Sequence, residues 1–399
     1  MKSPDGNQIF GFYLILFSAN FLKMNRLVLI GNGFDLAHGL KTSYYDFILD
    51  YLKSSFEKAR LKDNYEDELI VVNGNREYII PEFNDVMTLK QFLIFQVKNY
   101  PNGPIYLNQG DDPSLNVPKT AYKLCIKNTF FETLLCECSK YNWVDIENKY
   151  YQFLKIILGE KDLKIKEESL YQLNDSLIFL IKKLREYLSV QKLTYLNIEY
   201  NSIFSEFINK DEVVFPLQLS NGELPRRTMF LNFNYTDTLS NYFTSNSYRR
   251  LEIPGVVINC IHGKVNSDKD PIVFGFGDEL DKDYSRIESE ETKGFLKFIK
   301  SFWYFKTSNY HDLIRFIESD DFQVFIVGHS CGLSDRTMLN MIFEHQNCKS
   351  IKIFYHEKDG KNNYTELTEE ISRHFTSKGD MRMKIVPLNK SSAMPQVKI

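Results

Sequence analysis

The chain has 399 residues, 43% hydrophobic and 25% charged, with a net charge of −3 and a pI near 6.2. That balance is ordinary for a folded protein large enough for two or three domains, and it excludes the wide positive field of a general nucleic-acid binder. Six cysteines (Cys125, Cys136, Cys138, Cys260, Cys331, Cys348) form no pair of Cys-x-x-Cys motifs, so neither a metal site nor a disulfide framework is expected, and a reducing compartment fits.

Residues 1–23 hold an apolar run from Ile9 to Phe21 behind a single lysine. The run is too short to span a bilayer, and no small-x-small site separates it cleanly from the following strand, as a signal peptide would require. These residues are expected to be an over-extended N-terminus, with the working protein starting at Met24 in the cytoplasm, away from membranes.

Arg26-Leu27-Val28-Leu29-Ile30 reads as a strand buried on both faces, the kind found in parallel sheets. It runs into Gly31-Asn32-Gly33-Phe34-Asp35, where the glycines allow a tight turn. A strand that ends in such a turn and feeds a helix is how dinucleotide folds hold pyrophosphate on backbone N–H groups. The Gly-x-Gly-x-x-Gly spacing is incomplete, because Leu36 occupies the last position, so a tight turn without a ligand is the alternative. Thr42 to Leu52 reads as a capped amphipathic helix that completes a first strand-loop-helix unit over 24–60.

Apolar segments mix with Pro101, Gly103 and Pro104 between Glu66 and Ala121, and Tyr122 to Lys210 is mostly helical in pattern. Ser176 to Leu188 shows apolar positions three and four apart. Residues 61–225 are read as a mostly helical insertion lobe. Over 226–388, strands are expected at Thr228–Phe233, Val256–Ile261, Pro271–Phe274, Phe322–Val327, Ile351–Tyr355 and Met383–Val386. Helices are expected at Thr236–Phe243, Thr292–Phe305, Ser334–Glu344 and Thr365–Thr376, before a polar tail at 389–399. One strand in front, a helical block and a βα series behind give an α/β fold: a Rossmann-like parallel sheet flanked by helices and interrupted by the insertion.

Open α/β sheets bind ligands at the carboxyl ends of their strands. Four apolar strands here run into compact polar sequences: Gly31 to Asp35, Asn234-Tyr235-Thr236-Asp237, His262-Gly263-Lys264, and Gly328-His329-Ser330-Cys331-Gly332-Leu333-Ser334-Asp335. Asp35 also reads as a cap for the helix that follows, while Asn234 and His262 have ordinary structural readings as a turn amide and a buried core histidine.

The combination resembles the AbiH family of bacterial phage abortive-infection proteins, and through them the sirtuin-like NAD-binding fold. The resemblance covers Met24 to about Lys384. It is carried by Leu29 to Leu40, Trp143-Val144-Asp145-Ile146-Glu147, Asn232 to Asp237, Ile261-His262-Gly263 and Val327-Gly328-His329-Ser330. It implies an anti-phage role, with NAD as substrate or ligand and no metal. Gly31 and Gly33, with Asn32, Phe34 and Asp35, match the phosphate loop. Asn234 and Asp237 are similar to the Asn and acidic residue near nicotinamide, although three apart rather than two. His262 before Gly263 is similar to the catalytic His, and Gly328, His329 and Ser330 to the loop on the ribose or adenosine side. Asn234 and His262 are then the catalytic pair for hydrolysis of the nicotinamide–ribose bond, while Trp143 to Glu147 is read first as packing of the helical lobe, with a lid contact from Glu147 to the sugar as the alternative. The zinc module of deacylating sirtuins is missing, so protein deacylation is not implied. A phage-derived trigger and a homo-oligomer are expected restraints on such an activity.

Two other readings compete. The same pocket could sense a nucleotide without turnover. Alternatively, Gly328-His329-Ser330-Cys331-Gly332 matches a nucleophile elbow, with Ser330 as nucleophile and Asp335, His356 or His374 as partners. Only 69 residues follow Ser330, which leaves little sheet to deliver an acid and a histidine.

Overall fold

Leu27, Val28, Leu29 and Ile30 have no solvent exposure, because strand β1 (Asn25–Ile30) lies at the centre of a parallel sheet covered on both faces. The structure is a computed structural model that describes residues 24–73, 105–107, 122–137, 143–214, 222–244 and 253–397. The apolar run at Ile9 to Phe21, Cys138 and the side chains of Cys136, Trp143, Val144 and Asp145 lie outside what is described.

After β1 come a five-residue helix α1 (Asn32–Leu36) and α2 (Tyr44–Lys62), which Ser43 opens by accepting the Asp46 N–H at 3.0 Å. The insertion then carries β2 (Asn64–Glu66), β3 (Ile70–Asn73), β4 (Ile105–Leu107) and β5 (Tyr122–Ile126), a four-stranded antiparallel sheet in the order β2-β3-β5-β4. Three helices follow: α3 (Thr129–Glu137), α4 (Trp143–Leu158) and α5 (Leu163–Ser189). Asp162 caps α5 by accepting the N–H groups of Lys164 and Ile165. Its buried stripe of Leu170, Leu173, Leu177, Leu180, Leu184 and Leu188 repeats every three or four residues, so one face packs into the lobe core with α2 and α4. The lobe is therefore helices against a small sheet, where the sequence pattern shows only the helices.

The chain returns to the central sheet through β6 (Thr228–Asn232) and β7 (Val256–Asn259), then α6 (Asn309–Ser319), β8 (Phe322–Val327), α7 (Arg336–Glu344) and β9 (Cys348–Tyr355). A small hairpin, β10 (Glu357–Lys358) with β11 (Lys361–Asn362), leads to α8 (Tyr364–Ser372) and the edge strand β12 (Ser392–Ala393). The order is β12-β9-β8-β1-β6-β7, and every pairing is parallel. The α/β class and the helix-flanked parallel sheet are as the sequence indicates. The C-terminal residues do more than trail: Met394 is buried, and the Tyr200 hydroxyl donates to the Pro395 carbonyl at 2.9 Å.

Several expected elements differ. Pro271–Phe274 is not a strand: Gly263, at φ +81, turns the chain so closely that a Cβ there would sit 2.1 Å from the Pro271 carbonyl oxygen. Met383–Val386 is the end of a helix (Lys378–Lys384), with only Ile385 bridging to Ile351. Thr292–Phe305 is mostly turns before a short helix at Lys300–Tyr304, and Thr236–Phe243 is turns before a four-residue helix at Asn241–Thr244. Helical propensity yields here to packing around β7 and the lobe.

Candidate functional site

The carboxyl ends of β1, β6, β7 and β8 meet at one edge of the sheet. There the turn after β1 lies directly on the turn after β8. A Cβ on Gly31 would stand 2.5 Å from the His329 Cα, and one on Gly33 would stand 2.9 Å from the Gly328 Cα. Gly328 itself has φ +71, and a Cβ there would stand 2.3 Å from the Phe34 nitrogen. Glycine is thus demanded by contact between two backbones. The Gly33 N–H is spent on the Gly328 carbonyl at 2.8 Å, and the Phe34 N–H on the Gly31 carbonyl at 2.9 Å. The turn therefore keeps fewer free donors than a phosphate cradle would.

Asn234 follows β6. Its Nδ2 donates to the Gly31 carbonyl at 3.0 Å, which fixes the amide beside the glycine turn. Asp35 lies within α1 rather than at its cap, is 1% exposed, and accepts from the Thr236 hydroxyl at 2.6 Å through Oδ2. Its Oδ1 is buried without a hydrogen-bond partner. Burial pushes the Asp35 carboxyl up to about 6, against the opposing pull of the Thr236 hydroxyl and of Thr238 and Asn234 nearby.

His262 follows β7, and its Nε2 lies 3.2 Å from Asp335 Oδ1 and 3.3 Å from the Tyr304 hydroxyl. The same Asp335 oxygen takes a hydrogen bond from Lys300 Nζ at 2.8 Å, and Lys300 also reaches Glu147 Oε2 at 2.9 Å. Glu147 comes from α4 of the lobe and accepts the Gly275 N–H at 3.0 Å with its other oxygen. Burial alone would raise Asp335, but Lys300 and His262 outweigh it and hold its carboxyl well below the usual range. The reverse balance holds at Glu147, where burial and the Asp335 charge raise the carboxyl despite Lys300. Asp335 is therefore a fixed negative charge. It can only accept, so the hydrogen on His262 sits on Nε2 and Nδ1 is the basic nitrogen.

His329 follows β8, and burial lowers its imidazole to about 4, so the ring is neutral near pH 7. Its Nδ1 accepts the Cys331 N–H at 3.0 Å, which leaves the hydrogen on Nε2. In the elbow reading the strained position belongs to the serine. Here the positive φ, 53°, falls on Cys331, whose side chain is buried in the core. Asp335 is held by Lys300, and the His374 Nε2 is spent on the Cys331 carbonyl at 2.6 Å. Neither Asp335 nor His374 is thus free to serve Ser330, while His356 lines the same cavity.

Together these ends enclose a cavity of about 650 Å3. Gly31, Asn32, Gly33, Asp35, Asn234, His262, Gly328, His329 and Ser330 all line it. Three expected residues do not. Phe34 points into the core against His38 and Tyr200, Asp237 is exposed, and Gly263 shapes the turn against Pro271. The Lys300–Asp335 pair and the Thr236 contact are not apparent in the sequence order. A lone lysine in the aromatic run Phe298 to Trp303 was the available signal, since a buried cation demands a partner. Glu147 and Asp335 sit on the cavity wall, as do Glu366, Glu369 and Glu370 of α8; no lysine or arginine side chain is among the described lining residues. Among the described residues, no group of three or more His, Cys, Asp or Glu is arranged to hold a metal ion. No helix among them is long and apolar enough to cross a membrane.

Comparison with curated proteins returns no match. The family description "Bacteriophage abortive infection AbiH" matches residues 27–357, a span that holds the glycine turn, the lobe and all four strand ends. The chain belongs to the AbiH family of bacteriophage abortive-infection proteins.

Proposed function

We propose that this abortive-infection protein binds NAD in the cavity and hydrolyses the bond between its nicotinamide and ribose. The observation that carries the proposal is that Asn234 and His262 line one cavity with three buried carboxylates, Asp35, Glu147 and Asp335. In the reaction, the bond from ribose C1′ to the pyridinium nitrogen breaks and nicotinamide leaves neutral with the electron pair. Positive charge then develops on the sugar, where a negative wall stabilises it most. Water adds to C1′ and gives up a proton, and ADP-ribose is the product. Asn234 has its Nδ2 on Gly31, so its Oδ1 is the atom left to orient that water. His262, held through Nε2 by Asp335, takes the proton on Nδ1. With no cationic side chain in the described lining and the glycine-turn N–H groups largely spent, the diphosphate would rest on Asn32, Thr42 and Ser330.

The lobe contributes Glu147 and Leu188 to a wall otherwise built from the strand ends and α8, and this favours a second reading in which nucleotide binding repositions the lobe without turnover. Draining NAD harms the host, so the proposal places the protein in the cytoplasm under restraint, by homo-oligomer formation or by a phage-derived trigger. Purified chain incubated with NAD tests both readings. The enzyme reading expects nicotinamide and ADP-ribose in equal amounts, lost at least about a hundredfold in Asn234→Ala and His262→Ala. Tight NAD binding without product supports the sensor, and neither binding nor product overturns both.

A further inference from the structure

Asp335 borders a second cavity of about 750 Å3, distinct from the first, which also receives the ring of Tyr304. Its mouth is aromatic and acidic: Phe302, Phe305 and Tyr310 line it with Glu279 and Glu288. Phe305 is 74% exposed and Phe302 44%, an apolar surface that a lone folded chain gains nothing by showing to water. Neighbouring carboxylates are already engaged, since Asp281 and Asp283 lie 3.9 and 3.7 Å from Lys155 Nζ. Among the described residues, Glu279 and Glu288 have no ion-pair partner, and Lys282 is the one basic side chain in the lining. Burial first, and then the Glu279 charge, raise the Tyr310 hydroxyl, and both residues line this cavity.

We infer that this second cavity binds an alkyl-ammonium or guanidinium group. The chemistry selects that class. An anion would meet two unpaired carboxylates, and a neutral apolar group would desolvate them without compensation. A cation gains both the carboxylates and the ring faces. The site also communicates with the first cavity. Tyr304 stacks on Tyr310 at 5.1 Å, while its hydroxyl lies 3.3 Å from His262 Nε2. A cation seated against Tyr310 and Tyr304 therefore shifts the hydrogen bond that helps orient His262. The inference stands whether or not NAD is the ligand of the first cavity.

Titration calorimetry on the full chain tests it, with agmatine and spermidine in one arm and an arginine-bearing peptide in the other. Binding of at least one probe is expected, weakened about tenfold by Glu279→Gln and by Phe305→Ala, whose exposure leaves the fold unaffected. Binding of the small cations assigns a free ligand, and binding of the peptide alone assigns a protein source. Binding of neither, or binding unchanged in both variants, overturns the site. In the same samples labelled with 15N-histidine, the probe that binds moves the His262 signal in the wild type. Tyr304→Phe retains affinity and abolishes that movement; a His262 signal that never moves overturns the coupling.

Discussion

Lys300 and Asp335 meet at 2.8 Å, with the lysine wholly buried and the carboxylate nearly so, and Glu147 closes the group from the lobe side at 2.9 Å. Two carboxylates thus share one ammonium in a low-dielectric space. Removing the cation strands both charges, which in buried pairs costs about 3–5 kcal/mol. Lys300→Met should lower unfolding stability by that amount in urea titrations near pH 7. A loss below about 1 kcal/mol, the range of exposed pairs, would contradict the burial of the group.

Asp35 gives a pH-dependent prediction. Its carboxyl is raised from 3.8 to about 6, so the folded state binds the proton more tightly than the unfolded chain. The contribution is present below pH 3.8 and is lost as pH rises through 6, by about 3 kcal/mol. Asp35→Asn keeps the shape without the titration. On acidification from pH 7 to pH 4 the variant should therefore lose about 2 kcal/mol relative to the wild type. Parallel melting curves of the two proteins at each pH would refute the raised carboxyl.

His329 carries the opposite sign over an overlapping window. Its imidazole is lowered from 6.5 to about 4, so folding disfavours the proton. Stability from the neutral ring is present above pH 6.5 and falls as pH drops towards 4. His329→Gln should therefore gain on the wild type by about 3 kcal/mol between pH 7 and pH 4. The two side chains mask one another in the wild-type profile, which makes the pair of variants the informative measurement.

The contact between the two turns can be tested by adding a methyl group. Gly31→Ala places a Cβ 2.5 Å from the backbone of His329, so one turn must move. Gly222 has φ +80 and nothing within 4 Å, so Ala there bears only the left-handed strain of about 1–2 kcal/mol. Gly31→Ala should be the more destabilising in thermal melts, and it should also perturb the cavity. Equal losses in the two variants would mean that the turns yield easily.

Much of this arrangement was legible in the residues. Apolar runs such as Val324 to Val327 carry their own signal, because strands buried on both faces need no alternation, and each is followed by a polar turn. That four such turns share one edge follows from parallel topology. Which side chains then face the cavity does not follow. Phe34 and Asp35 are adjacent in one turn of α1, yet one enters the core and the other the cavity wall. Asp237 looked like the acidic partner of Asn234 but is exposed, and Asp35 stands near that amide instead. The Lys300–Asp335–Glu147 group was hidden because its members are far apart in sequence and joined only by the fold.

The central claim is that Asn234 and His262 act on a ribose held in this cavity. The most direct measurement is a crystal structure of the Asn234→Ala chain with NAD. The nicotinamide ribose is expected between His262 and the Asp35 carboxylate, with the diphosphate over Asn32 and Ser330. NAD bound elsewhere on the chain, or a cavity left without ligand at saturating NAD, would contradict it.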